Sequence, residues 1–338
     1  MKIMTPITTA NDIEILTPVK YGTEFYCGYL PPWWAEKYHD SKSFDMLGFI
    51  ATPINNRNIQ SANIMDAEVL KECIFLSKKY QTSLYLVLNA KYYPNYIYQD
   101  IERYLQEVVS LGIHKVIACD LGLISFLEEK FPIVKVSVSC LNQVTNSAAV
   151  SFYIQHKNVE RIVFPRHMAV NEVFSIANAF PAIQFEFFLF SNKCLYDDGN
   201  CRGVHIFTPI CKDIFFRYFY GVNGTSLSEV VEKKLQTNAE QFQNWTQFEL
   251  LYTEKNLCTP DFACSACSLI HLYKIPNIVS VKLSIRGHSL TERLEQVKMA
   301  RCVINLAPQE DVLTIQKEMS RMYGKSTLCD SGMHCFMK

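Results

Sequence analysis

The chain is predicted to be an α/β protein: a TIM-like (β/α) barrel of parallel strands with a Cys-rich loop insertion and a short C-terminal extension. Three observations predict this. Apolar strand-like runs alternate with amphipathic helical stretches, which implies a parallel sheet. There are about eight such runs, and a sheet covered on both faces closes most readily at that number. No G-x-G-x-x-G turn opens any of the helical stretches, which argues against a dinucleotide-binding open sheet.

Taken in order, the runs 13–16, 24–27, 46–51, 83–89, 115–119, 134–138, 161–164 and 185–190 read as buried strands. The stretches 66–79, 98–110, 121–130, 147–156 and 170–180 have helical spacing. Asp120 precedes one of these helices and Asn146 another, so both are expected as N-caps. After Phe190 the alternation stops. A Cys-, Asp- and Gly-rich loop occupies 191–211, a polar helical stretch 225–250, and a last strand (279–283) and helix (291–302) complete the barrel. The barrel is assigned to residues 1–305, with the Cys-rich region at 191–267, and a helical tail to 306–338.

Composition narrows the function. Of 338 residues, 49% are hydrophobic and 13% aromatic, enough for a large core. Lys plus Arg and Asp plus Glu both number 33, so no overall field draws the chain to nucleic acid, which is disfavoured as a partner. No stretch is long and apolar enough to span a membrane, and no export signal is evident at the N-terminus, so a cytoplasmic location is expected. Thiols stay reduced there. Six cysteines concentrated at Cys194, Cys201, Cys211, Cys258, Cys264 and Cys267 therefore point to a metal or cluster before disulfides. Cys73, Cys119, Cys140 and Cys302 read as small core residues. The Cys264-Ser-Ala-Cys267 spacing, with His271 beyond, also suits zinc.

In a barrel the chemistry lies where strands give way to helices. Arg166 and His167, just after a strand, are the candidates there for catalysis, with Lys282, whose burial on a strand demands a partner or a role. Arg57, Arg166 and Arg286 can supply the planar forks that match carboxylates. Asn89 and Asn142 occupy loops after strands as candidate substrate contacts, with Arg57 and Arg286. Trp33, Trp34 and Tyr38 could be a lid or plain packing. H-E-x-x-H and G-x-S-x-G are absent; Cys27 and His39 are the one tempting thiol–imidazole proximity for a protease.

Several segments in series carry a resemblance: EILTPVKYGTEFYCG (14–28), LYLVLN (84–89), DLGLISFL (120–127), VTNSAAVSF (144–152), ERIVFPRHMAVNEV (160–173) and EFFLFSNKCLYDDGNC (186–201). The chain resembles the collagenase-like peptidase family U32 over roughly residues 12–301. Glu186 stands eight residues before Cys194, and six residues separate Cys194 from Cys201, as in cluster-bearing members. VKLSIR (281–286) keeps Lys282 and Arg286, whereas Ser284 and Ile285 replace the usual Glu and Gly. Phe190-Ser191 replaces the usual His-Gly, and only nine residues lie between Cys201 and Cys211.

The resemblance implies a four-iron four-sulfur (4Fe-4S) cluster on Cys194, Cys201, Cys211 and Cys267, with Cys264 and Cys258 as rivals for the fourth place. It also implies oxygen-independent hydroxylation of RNA bases or a quinone precursor, with prephenate as hydroxyl donor. RNA-acting relatives tend to be longer, which with the neutral charge favours a small-molecule or protein-level substrate. The alternatives are a peptidase or peptide-binding barrel with zinc or no metal, and a non-catalytic subunit paired with a homologous partner.

Overall fold

The computed structural model describes residues 1–17, 23–38, 54–57, 62–192, 262–309 and 311–323, with Gly199, Cys329 and Cys335 in addition. Eight parallel strands close on themselves: β1 (Lys2–Pro6), β2 (Thr23–Tyr29), β4 (Leu84–Leu88), β5 (Lys115–Ala118), β6 (Lys135–Val138), β7 (Val159–Val163), β8 (Gln184–Asn192) and β10 (Ile278–Ser284). β1 seals the barrel by pairing on both sides, Met4 with Glu24 of β2 and with Lys282 of β10. Two short strands lie outside the ring: β3 (Asn63–Ile64) extends β2 in parallel, and β9 (Phe262–Cys264) runs antiparallel to the end of β8.

Helices α1 (Ala10–Leu16), α2 (Pro32–Tyr38), α3 (Ala67–Lys79), α4 (Tyr98–Leu111), α5 (Leu121–Lys130), α6 (Ser147–Tyr153), α7 (Val170–Ala179), α8 (Leu269–Leu272), α9 (Leu290–Leu306) and α10 (Val312–Tyr323) are the described ones. The main apolar core lies between the outer face of the sheet and these helices, and includes Ile3, Phe25, Cys27, Leu86, Val116 and Phe187. Strand alternation sends the other set inward, where Met4, Tyr26, Tyr85, Val87 and Ile117 form a small lumen cluster. The caps match their residues: Asp120 accepts from the Leu123 amide at 2.7 Å and Asn146 from Ala149 at 2.9 Å. Trp34 is fully buried, 6.0 Å from Tyr104 of α4, and Trp33 donates to Glu107 at 3.0 Å, so this aromatic pair is packing and not a lid.

One expected strand is wrong. Residues 13–16 belong to helix α1, because Thr9 and Asp12 form a capping box and Ile13 and Leu16, three apart, bury on one face. The strand that occupies the first barrel position is β1, too short and too near the chain start to stand out by pattern. Residues 46–51 lie outside the described residues.

Candidate functional site

Charges cross the barrel interior. Arg161 on β7 reaches Glu24 on β2, strands that are not neighbours, at 2.7 Å, and Glu186 on β8 at 3.1 Å. Ser280 donates to Glu186 at 2.6 Å, and Lys282 donates to the same carboxylate at 2.9 Å, with its ammonium 4.7 Å from the Tyr26 ring centroid. Burial opposes charge on Arg161, yet the fields of Glu186 and Glu24 outweigh it and raise its pKa. Burial likewise opposes charge on Glu186, but Lys282 and then Arg161 hold its carboxyl below the ordinary range. Lys282 is therefore a paired lysine beneath the mouth; Arg161 and Glu24, which sequence reasoning missed, complete its network. Their only advance signal was a charged residue on an otherwise apolar strand.

Above this layer, where the strands end, guanidinium groups collect. Arg286 lies two residues past β10 and is 5% exposed; its Nη2 donates to Asn55 Oδ1 at 2.9 Å. Arg57 donates a side-chain hydrogen bond to the Arg286 carbonyl, and its own amide donates to the same Asn55 oxygen at 2.9 Å. Asn55 in turn donates to Asn63 at 2.9 Å, and Asn63 donates to the Arg57 carbonyl at 2.7 Å. This relay needs Gly28, since a Cβ there would meet Asn63 Oδ1 at 1.9 Å. Gly287, at φ +95°, turns the chain immediately after Arg286. Arg166 joins from the loop after β7, its guanidinium 4.3 Å from the Phe188 ring centroid and Nη2 3.4 Å from Ser284 Oγ.

Among the described residues, Arg57 and Arg286 lack a counter-charge at this mouth. Burial pushes Arg286 down to about 10, and the neighbouring Arg57 adds to the effect. Arg57 is lowered by burial too, with Arg166 contributing in the same direction. Arg286 Nη1 is buried without a hydrogen-bond acceptor, and neither Arg57 nor Arg286 has an ion-pair partner among the described residues. The Tyr26 hydroxyl donates to the Leu283 carbonyl at 2.9 Å, and burial pushes this phenol up to about 12. A buried guanidinium edge with no acceptor among the described residues, beside a second guanidinium, fits an anion with several oxygens.

The remaining candidates sit around this cradle or apart from it. Asn89 accepts from the Asn56 amide at 3.1 Å and so braces the Arg57 segment. Asn142 accepts from the Cys119 thiol at 3.0 Å, while its Nδ2 is buried without an acceptor. Lys91 donates to the Gly199 carbonyl at 2.8 Å. His167, in the loop after β7, is exposed. Cys194, Cys201, Cys211 and Cys258 lie outside the described residues. Cys264 and Cys267 flank the end of β8 as free thiols, and among the described residues no three His, Cys, Asp or Glu side chains are set to hold a metal ion. Cys27 is fully buried and its thiol pushed well above the ordinary value by burial, the reverse of an activated nucleophile; His39 lies outside the described residues.

Comparison with known proteins follows this geometry. The chain is 30% identical over 99 residues to tRNA hydroxylation protein P of Escherichia coli K12, a stretch that covers 29% of this chain and 22% of that one. It is 26% identical over 148 residues to the protein of the same name from Haemophilus influenzae Rd, covering 44% and 30%. The matched stretches thus span less than a third of these relatives' length. The solved structure of the U32 peptidase Mk0906 aligns with a TM-score of 0.40 at 11% identity, over 56% of this chain and 69% of that one. Among the described residues, no helix is long and apolar enough to cross a membrane. The family model of peptidase family U32 matches residues 49–320, most of the length of this closed parallel barrel, and the chain belongs to that family.

Proposed function

We propose that the protein is a hydroxylase-type enzyme that acts on an RNA base and binds a small dicarboxylate co-substrate of the prephenate kind at the barrel mouth. The observation that carries this reading is Arg286: a buried guanidinium, one edge without an acceptor among the described residues, beside Arg57. Two or three guanidiniums held in one place suit two carboxylates better than one. Relatives named for tRNA hydroxylation support RNA as the target in place of the small-molecule or protein-level substrate that the neutral overall charge favoured. The mouth is locally basic even though the chain is neutral.

In this reading Arg57, Arg166 and Arg286 bind and orient the anion, while Asn55 and Asn63 position the first and last of these. Asn142 Nδ2, in the turn after β6, is buried without an acceptor among the described residues and is a further donor. Lys282, held by Glu186, keeps the floor of the site charged without exposing it to water. An iron–sulfur cluster, if carried on Cys194, Cys201, Cys211 and a fourth thiolate, would supply electron transfer. Zinc is the alternative on the same donor chemistry.

Calorimetric titration with prephenate tests the cradle. The native chain is expected to bind, and Arg286→Ala to lose on the order of tenfold or more in affinity, since a charge-assisted bidentate contact contributes a few kcal/mol. Equal affinity in both would refute the assignment. Mass analysis of tRNA nucleosides from cells lacking the chain tests the target: a hydroxylated nucleoside should be replaced by its unhydroxylated form, and an unchanged nucleoside profile would remove RNA from the reading.

A further inference from the structure

Exposed rings occupy one sector of the barrel mouth, on the loop 89–97 that joins β4 to α4. Tyr92 is 55% exposed and Tyr96 68%, and Leu121, which opens α5 in the next sector, is 40% exposed. Neither tyrosine has a hydrogen bond or a ring contact among the described residues. The loop between them is pinned. Ile97 is fully buried, the Tyr93 amide donates to Asp120 at 3.3 Å, and the Tyr93 hydroxyl donates to the Ile54 carbonyl at 2.6 Å. At the start of the loop, Asn89 accepts from the amide of Asn56, the residue before Arg57. The loop is thus tied to the segment that carries the arginine cradle.

We propose that Tyr92 and Tyr96 form a stacking platform for unpaired nucleotides of an RNA loop and so hold the RNA at the rim beside the cradle.

This rests on the reading of an RNA target and adds the surface that receives it. Single exposed rings are ordinary on protein surfaces. Two tyrosines on a braced loop at a barrel mouth differ, because the fold presents flat faces where substrate enters and holds them there through Tyr93 and Ile97. Every base has a face that stacks on an aromatic ring, and unpaired RNA loops splay their bases out for such contact. Charge agrees with this occupant. Residues 89–99 contain Lys91 and no acidic side chain, so a phosphate backbone meets no repulsion from the loop even though the whole chain is neutral.

The test is fluorescence anisotropy with a labelled hairpin RNA that has an unpaired loop, beside a fully paired duplex of equal length. The proteins are the native chain, Tyr92→Ala, Tyr96→Ala, Tyr96→Phe and the control Phe75→Ala, an exposed ring on α3. Circular dichroism establishes that each variant folds. The native chain is expected to prefer the hairpin, and each alanine variant to bind it about fivefold to a hundredfold more weakly. Tyr96→Phe and Phe75→Ala should bind it as the native chain does, since stacking needs the ring at the mouth and not its hydroxyl. Equal hairpin affinity in the native chain and both folded alanine variants overturns the platform and leaves the RNA reading standing. No hairpin binding by the native chain overturns both. A native dimer that the alanine variants convert to monomer at unchanged RNA affinity makes the loop a contact between copies, and the proposal falls.

Discussion

Arg286 illustrates how a single side chain can be costly and retained. Its guanidinium is withdrawn from water, repelled by Arg57, and satisfied on one edge only by Asn55. Such a group is stabilised when an anion arrives, so ligand should raise the unfolding temperature of the native chain more than that of Arg286→Lys, which keeps charge but lacks the planar fork. Gly28 bears on the same site from a distance. Gly28→Ala places a methyl group 1.9 Å from Asn63 Oδ1 and must displace the relay that holds Asn55. The expected cost is about 1–3 kcal/mol in urea denaturation, together with weaker anion binding. Unchanged stability and binding would show that the Asn63 contact is dispensable.

Between elements, buried ion pairs connect parts of the barrel that hydrogen-bonded strand pairing does not. Arg161 joins β7 to β2 across the lumen, and Arg293 of α9 clasps Asp12 of α1 at 2.7 and 3.1 Å outside it. Replacing Arg161 by Met takes the guanidinium from two buried carboxylates and leaves each with a single lysine, Glu24 with Lys2 and Glu186 with Lys282, and a loss of about 3 kcal/mol is expected. The pH dependence follows from Glu186 and Asp12, whose carboxyl groups are both held below their ordinary range despite burial. Groups depressed in the folded state contribute stability that is present above the unfolded carboxylate pKa and is lost as pH falls through the folded values. The urea midpoint should therefore fall on acidification below about pH 4.5, less steeply in Glu186→Gln. An identical pH slope in that variant would mean that Glu186 is not among the groups responsible.

For the whole molecule, the arrangement is layered along the barrel axis: an ion-paired floor of Glu24, Arg161, Glu186 and Lys282, then a basic mouth of Arg57, Arg166 and Arg286. Much of this order was legible in advance. Alternating strand and helix patterns are local properties of the chain, so the parallel barrel, the caps Asp120 and Asn146, and the placement of Arg166 and Arg286 after strands could be read from spacing. The 13–16 run misled because four residues of apolar alternation fit a strand as well as one buried face of a capped helix, and Thr9 with Asp12 decided the matter. What the amino-acid order could not contain was partnership. That Glu186 would serve both Lys282 and Arg161, that Arg161 would reach Glu24, and that Asn55 and Asn63 would hold two arginines is decided only when the ring has closed. Periodicity reports which face a residue takes over a few neighbours; only the closed barrel brings side chains more than a hundred positions apart within hydrogen-bonding distance.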